Sequence, residues 1–409
     1  MTRRLKVLVS AYACEPKKGS EPGVGWSMAM QGARFHEVWV ITRANNREAI
    51  ERALAEKPEP NVHWVYFDLP RWLSFWKKGQ RGIQLYYYLW QIGIYFIGRR
   101  LHDRVGFDIV HHLTFVKYWT PSFLAFLPIP FLWGPVGGGE STPKAFRRNF
   151  GFRGRLYEGL RNAARWLEEH DPFLRHTARR AQLAIATTPE TRQRLERLGC
   201  RSTTIFTEVG MGLIEIRTAS TVRNLPPFRL VSIGRLLHWK GFNLGLMAFA
   251  QLQRELPNSE YHLIGDGPER RNLERLAQKS GIASQVRFWG NLPRQQVLEK
   301  LLECDVLVHP SLHDSGGWVC LEAMAAGRPV ICLDLGGPAL QVTEETGVKV
   351  PAITPAQVVH DLAEAMHRLA QEPALLGCMA AAAQRRVVEH FSWGKKGEWL
   401  REVYQKVSG

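Results

Sequence analysis

The stretch FRLVSIGRLLHWKGFNLGLMAFAQLQREL, Phe228–Leu256, reads as a strand, a glycine-punctuated turn and a helix. The run up to Ile233 is apolar with little alternation, which suits a strand buried on both faces. After Lys240-Gly241 the apolar residues recur at helical spacing. Repeated, such a unit builds a parallel sheet covered by helices. It does repeat. Downstream, EYHLIGDG, QVRFWGN, DVLVHPS and RPVICLD read as further strands separated by periodic helices. Upstream, LKVLVSA, EVWVIT, VHWVYF, DIVHHL and PFLWGPV follow the same plan. There the turn-rich GSEPGVG precedes a helix expected from about Trp26, and a basic, aromatic helical region is inserted at about residues 71–104. The reading is therefore α/β, with two doubly wound, Rossmann-like domains facing a central cleft, where open sheets of this kind take ligands at their strand C-terminal ends.

Length agrees. A chain of 409 residues exceeds one ordinary core, and two domains of about 200 residues are expected. The expected division is an N-terminal domain at 1–205, a linker at 206–227, a C-terminal domain at 228–385 and a closing helical segment at 386–409. With 45% hydrophobic and 22% charged residues the chain is globular. Lys and Arg number 54 against 38 Asp and Glu, so a net charge of +16 favours an anionic partner. The six cysteines lack C-x-x-C spacing and read as reduced, buried residues of a cytoplasmic protein. MTRRLKVLVSAYAC imitates a signal peptide, but its apolar run is too short and reads as a first strand. No window reaches the roughly 20 apolar residues of a membrane span.

The residues at strand ends carry the chemistry. Arg235 follows the strand at Gly234, and Lys240 opens the next helix; a guanidinium fork and an ammonium there suit phosphate oxygens, or are two solvated cations. In HDSGGWVCLEAMAAGRPVI, His313–Ile331, Gly316 and Gly317 precede a helix from about Trp318. Its free backbone N–H groups form an anion seat. Glu322, one turn inside, and Asp314, on the loop, can accept hydrogen bonds from ribose and sugar hydroxyls, or serve as caps. Neither GDGP at Gly265–Pro268 nor GVGWSM at Gly23–Met28 completes G-x-G-x-x-G, which weighs against a dinucleotide oxidoreductase. The glycines of PGVG either admit a phosphate or make a tight turn.

The ordered set Gly-Arg-x4-Lys-Gly, GDGP, FWGNLP and carboxylate-x7-Glu followed by AMAAGRPVI resembles glycosyltransferase family 4. The likeness covers the second half nearly end to end. HFSWGKKGEWLREVYQKV is similar to the family's last helices, which cross back onto the N-terminal domain. The resemblance implies a retaining, metal-independent enzyme of GT-B fold using nucleotide-diphosphate sugars. It assigns the donor diphosphate to Arg235 and Lys240 with the amides of Gly317 and Trp318, the ribose to Glu322, and the transferred sugar to Asp314. Asn291 and Leu292 fall where the base is gripped, and Gly23 and Gly25 match the N-domain loop over the pyrophosphate. Arg235, Lys240, Asp314 and His112 are the expected catalytic set. The chain departs from the family in carrying Asp rather than Glu at 314 and Ser315-Gly316 after it. His111 and His112 either line the acceptor site or are strand-end histidines satisfied by backbone groups. No Asp-x-Asp or metal-ligand spacing is present, so neither metal nor other cofactor is expected.

Residues 71–104 hold seven Lys and Arg against one acidic residue, interleaved with nine aromatics, and residues 143–180 hold ten basic against four acidic. Such surfaces suit a membrane interface; alternatively, the aromatics pack a solvated basic helix onto the sheet. The expected partners are a nucleotide-sugar donor, a glycan or polyprenyl- or other lipid-linked acceptor, and a membrane surface. The expected place is the cytoplasmic face of the inner membrane, in surface polysaccharide or glycolipid assembly. A GT-B epimerase or hydrolase is the alternative within the fold. A nucleic-acid binder is disfavoured by the lack of any recognition motif.

Overall fold

The computed structural model describes residues 3–77, 79, 81–148, 150–212 and 226–409. They fall into two compact units. One comprises Met1–Gly139, Leu160–Gly210 and Trp393–Gly409, the other Glu140–Gly159 and Met211–Ser392. The expected linker at 206–227 falls largely on residues 213–225, outside the described residues.

The first unit is built on a seven-stranded parallel sheet of order β3-β2-β1-β4-β5-β6-β7. Its strands are β1 (Lys6–Ala11), β2 (Glu37–Thr42), β3 (Val62–Tyr66), β4 (Ile109–Thr114), β5 (Phe131–Val136), β6 (Ala181–Ala186) and β7 (Thr203–Ile205). The second unit has six parallel strands, β10-β9-β8-β11-β12-β13. These are β8 (Phe228–Ile233), β9 (Ser259–Ile264), β10 (Val286–Gly290), β11 (Val306–His309), β12 (Val330–Leu333) and β13 (Gly347–Val350). Both sheets share one winding: strands are added outward on one side of the first, then on the other. In each, the order reverses between the first and fourth strands, which is where open α/β sheets take ligands.

Sequence reading left out β6, β7 and β13. β6 is alanine-rich, follows the helix Pro172–Arg180 without a turn, and so lacks both β propensity and punctuation. β7 and β13 are too short to show a period.

The helix Ser20–Ala33 begins six residues ahead of the expected Trp26. Gly and Pro lower helix propensity, so GSEPGVG looks like a turn. Pro22 is tolerated in the first turn. The glycines are wanted for packing: a Cβ on Gly23 would lie 2.0 Å from the Lys18 carbonyl oxygen, and one on Gly25 would lie 2.2 Å from that of Ala13. Both glycines are thus buried inside a helix against their own preceding loop, rather than on a loop open to phosphate.

The basic, aromatic region resolves into the short helix Arg71–Ser74 and the helix Ile83–Val105. The longer helix turns Tyr86, Tyr87, Trp90 and Ile94 into the first unit's core, and Trp90 Nε1 donates to the Phe67 carbonyl at 2.9 Å. Three of its six aromatics are therefore core, with Tyr95 packed against them and Phe96 exposed. Among the described residues no helix is long and apolar enough to cross a membrane. Five cysteines are buried and unbridged, and Cys378 is exposed.

Candidate functional site

In the second unit the sheet order reverses between β8 and β11, and the loops leaving these strands are stitched together. Gly241 sits at φ 67°, and a Cβ there would lie 1.9 Å from the Pro310 carbonyl oxygen. Only glycine permits that conformation at that approach. Beside it, Leu312 N–H donates to the Trp239 carbonyl at 2.8 Å.

The stitching brings Lys240 Nζ onto Asp314 Oδ2 across 74 residues of sequence. Asp314 also faces His309 Nε2 at 3.2 Å, and its Oδ1 accepts from the Gly317 N–H at 3.2 Å. Burial opposes charge on Asp314, but Lys240 and His309 outweigh it and hold the carboxyl well below the ordinary carboxylate range. Burial also depresses His309, against the pull of Asp314. A carboxylate accepts only, so His309 Nε2–H donates. His309 was missed from sequence; its signal was a histidine closing an apolar strand, followed by Pro-Ser.

Gly317, at φ 57°, caps the helix Trp318–Ala325, and a Cβ on it would meet Pro338 Cγ at 2.8 Å. The first-turn N–H groups that follow have no partner within the helix. Arg235 is exposed, and among the described residues its guanidinium meets no carboxylate. Glu322, one turn into the helix, is buried and its Oε1 lies 2.9 Å from Arg294 Nη1. Arg294 was also missed; it opens the helix Arg294–Leu302 just after Asn291 and Leu292. Asn291 is exposed and Leu292 half-buried, on the loop leaving edge strand β10. The second unit therefore gathers Lys240, Asp314, Gly317, Trp318 and His309 at one place, with Arg235 at the end of the adjoining strand.

Gly23, Gly25 and His112 lie in the first unit. His111 and His112 are fully buried. His111 faces Tyr404 Oη at 2.7 Å and the Gly134 carbonyl at 2.5 Å. His112 Nε2 lies 2.7 Å from Tyr87 Oη. Burial pulls them down to about 4 and about 3, so both rings are neutral. His111 is thus a strand-end histidine held through both ring nitrogens, and His112 one held through Nε2. Among the described residues no three His, Cys, Asp or Glu side chains are grouped to hold a metal ion.

Residues 215–386 match the family described as glycosyl transferases group 1. That stretch is a glycosyl transferases group 1 domain. Lys240, Asp314, Gly317 and Glu322 all fall within it. The D-inositol 3-phosphate glycosyltransferase of Rhodococcus opacus (strain B4) is 30% identical over 275 residues, 65% of this chain and 58% of that protein. The chain spans about half the length of the curated relatives it matches. Among solved structures, sucrose-phosphate synthase from Thermosynechococcus elongatus superposes with a TM-score of 0.69 at 20% identity, over 99% of both chains. Anabaena HepE, in complex with UDP and glucose, gives 0.63 at 18% identity over 98% of this chain and all of that one. These likenesses show the fold: the group 1 domain is the second of two Rossmann-like domains of GT-B type.

Proposed function

We propose that the chain is a retaining glycosyltransferase that moves a sugar from a nucleotide-diphosphate donor, without a metal, to a glycan or lipid-linked acceptor. The acceptor is assigned to the first unit and the work to surface polysaccharide or glycolipid assembly, on the inner face of a membrane. One observation carries the reading. Lys240, tied to Asp314, meets the N-terminus of Trp318–Ala325 at the point of reversed strand order, with Arg235 at the end of the adjoining strand, inside a group 1 domain. UDP in the Anabaena HepE complex supports a nucleotide donor.

The chemistry follows from the charges. The group that leaves is a nucleoside diphosphate, which gains negative charge as the bond to the sugar breaks. Arg235 supplies a planar fork, Lys240 a point charge, and the helix its N–H groups. All are fixed before the charge develops, which is where electrostatic stabilisation gains most. Asp314, ionised and oriented by His309, accepts from hydroxyls of the transferred sugar and keeps Lys240 in place. Glu322, set by Arg294, accepts from the ribose, while Asn291 and Leu292 border the base. Attack from the face that the diphosphate leaves, with its oxygen taking the acceptor proton, preserves the anomeric configuration.

The test is calorimetric and thermal-shift titration with UDP, GDP, ADP, dTDP and CMP and their sugars, in the presence of a chelator. One nucleoside diphosphate should bind, with binding lost in Arg235→Ala and Glu322→Ala. Silence across the panel from a folded protein removes the donor assignment. Donor turnover without any acceptor identifies an epimerase or hydrolase instead.

A further inference from the structure

The helix Phe152–Glu168 is inside out. A surface helix ordinarily turns its apolar stripe to the core and its charges to water. Here Phe152, Leu156, Leu160 and Leu167 recur at the spacing of one helical face, with Trp166 beside them. All five are exposed, Phe152 at 74% and Leu167 at 67%. The opposite face carries the charges: Glu158 and Arg165 are each only 3% exposed. Those inward groups are engaged. Glu158 Oε1 lies 3.7 Å from His238 Nε2 and 3.6 Å from His313 Nε2, in the second unit. In the first unit, Arg165 donates to the Gly138 carbonyl and stands 4.8 Å over the Trp119 ring. The helix is therefore seated by its polar side, and five large apolar side chains face out.

What would cover them is indicated by the rim. On a helical projection Arg153 and Arg155 fall on either side of the stripe, and both are exposed. Glu158 and Glu168, the acidic residues of the helix, lie on the inward side. A second copy of the stripe would bring like charges together. An anionic lipid surface accepts the apolar residues among its acyl chains and the arginines at its headgroups.

We propose that Phe152–Glu168 is an in-plane docking helix for a membrane rich in anionic lipid, inserted through Phe152, Leu156, Leu160, Trp166 and Leu167. The inference rests on, and makes specific, the membrane part of the proposed function. Insertion leaves the polar face where it is, so docking fixes Glu158 beside His238 and His313, the near neighbours of Lys240 and Asp314.

The experiment is co-sedimentation of the full chain with vesicles of phosphatidylcholine alone, or mixed equally with phosphatidylglycerol. Binding to the mixed vesicles is expected, with partitioning lowered about tenfold or more in Leu156→Glu/Leu160→Glu and lowered also in Arg153→Gln/Arg155→Gln. Both pairs are at the surface, so unchanged melting temperatures and nucleotide affinity verify the fold. Brominated lipid should quench the wild-type chain more than Trp166→Phe. No binding to mixed vesicles, or equal binding of wild type and the double glutamate variant, overturns the proposal. So does a concentration-dependent dimer that the glutamates abolish without vesicle binding. Vesicle binding that persists while every nucleotide is silent keeps the helix and removes the donor reading.

Discussion

In the first sheet β4 runs beside β1 and carries His111 and His112; in the second, β11 runs beside β8 and ends at His309. The strands hold the same place in their sheets. Around β4 the reversal point is closed by the protein itself. Thr114 Oγ1 accepts from Ala13 N–H at 3.1 Å and donates to its carbonyl at 2.9 Å. Tyr12 packs edge-on to Tyr87 at 5.0 Å, and Glu21 accepts from the N–H of Phe115, which is held at φ 61°. Around β11 the same topology presents a cation pair, an ionised carboxylate and a helix N-terminus. Winding selects the place, and the side chains decide whether it is filled or left for a ligand.

The largest effect that can break this contrast is catalytic. Lys240→Ala is expected to lower kcat by about 100- to 1000-fold. His112→Gln should leave kcat near wild type and lower the melting temperature. The reverse pattern in steady-state kinetics would move the chemistry to the first sheet.

Next come the glycines. Gly241→Ala forces a left-handed residue into the Pro310 carbonyl, and Gly25→Ala puts a Cβ into that of Ala13. Each should cost a few kcal/mol in denaturant unfolding, by strain and displacement of the chain. Only Gly241→Ala should also weaken nucleoside diphosphate binding, because it displaces Lys240. Equal binding by both variants would show that the stitching does not serve the ligand.

Smaller again is Glu322→Ala, which removes one hydrogen bond to the ribose and the contact with Arg294. Donor affinity should fall about tenfold, with Glu322→Gln between that and wild type, as read by calorimetry.

The least of the four is a matter of pH. The folded protein keeps His111 and His112 neutral down to about 4 and about 3, whereas an unfolded imidazole protonates near 6.5. Their contribution is complete above about 6.5 and drains as pH falls from there, since the unfolded chain takes up protons first. Asp314 is depressed, so its contribution is present above the unfolded carboxylate value of about 3.9 and lost only below it. Melting temperature should thus begin to drop while Asp314 is still ionised, and His112→Gln should flatten that first drop.

Much of this fold was written locally. Strands such as LVSI and VLVH are long enough in apolar character to declare themselves, and the five strands expected in each half are present. β6 is hidden by its alanines, and the early start of Ser20–Ala33 by glycines whose purpose is a contact made in space. The site follows the same rule. Arg235, Lys240, Asp314 and Glu322 stand out by type and position, but the pairing of Lys240 with Asp314 and of Glu322 with Arg294 joins distant stretches and has no local signature. The two histidines of β4 could not be assigned from HHL alone, because the answer lies in Tyr87 and Tyr404 on other elements.

The make-up of the first unit has a consequence for how the chain is born. Trp393–Gly409 belongs to that unit, with Tyr404 on His111 and the buried Lys396 donating to the Thr207 carbonyl. A ribosome that has released residue 392 has delivered everything the second unit needs, its Glu140–Gly159 segment included. The unit begun first is still missing a wall. Synthesis runs from the N-terminus and domains tend to close as they emerge. Here the order inverts: the group 1 domain can finish first, and the N-terminal sheet waits with part of its core open to chaperones until the last helix arrives.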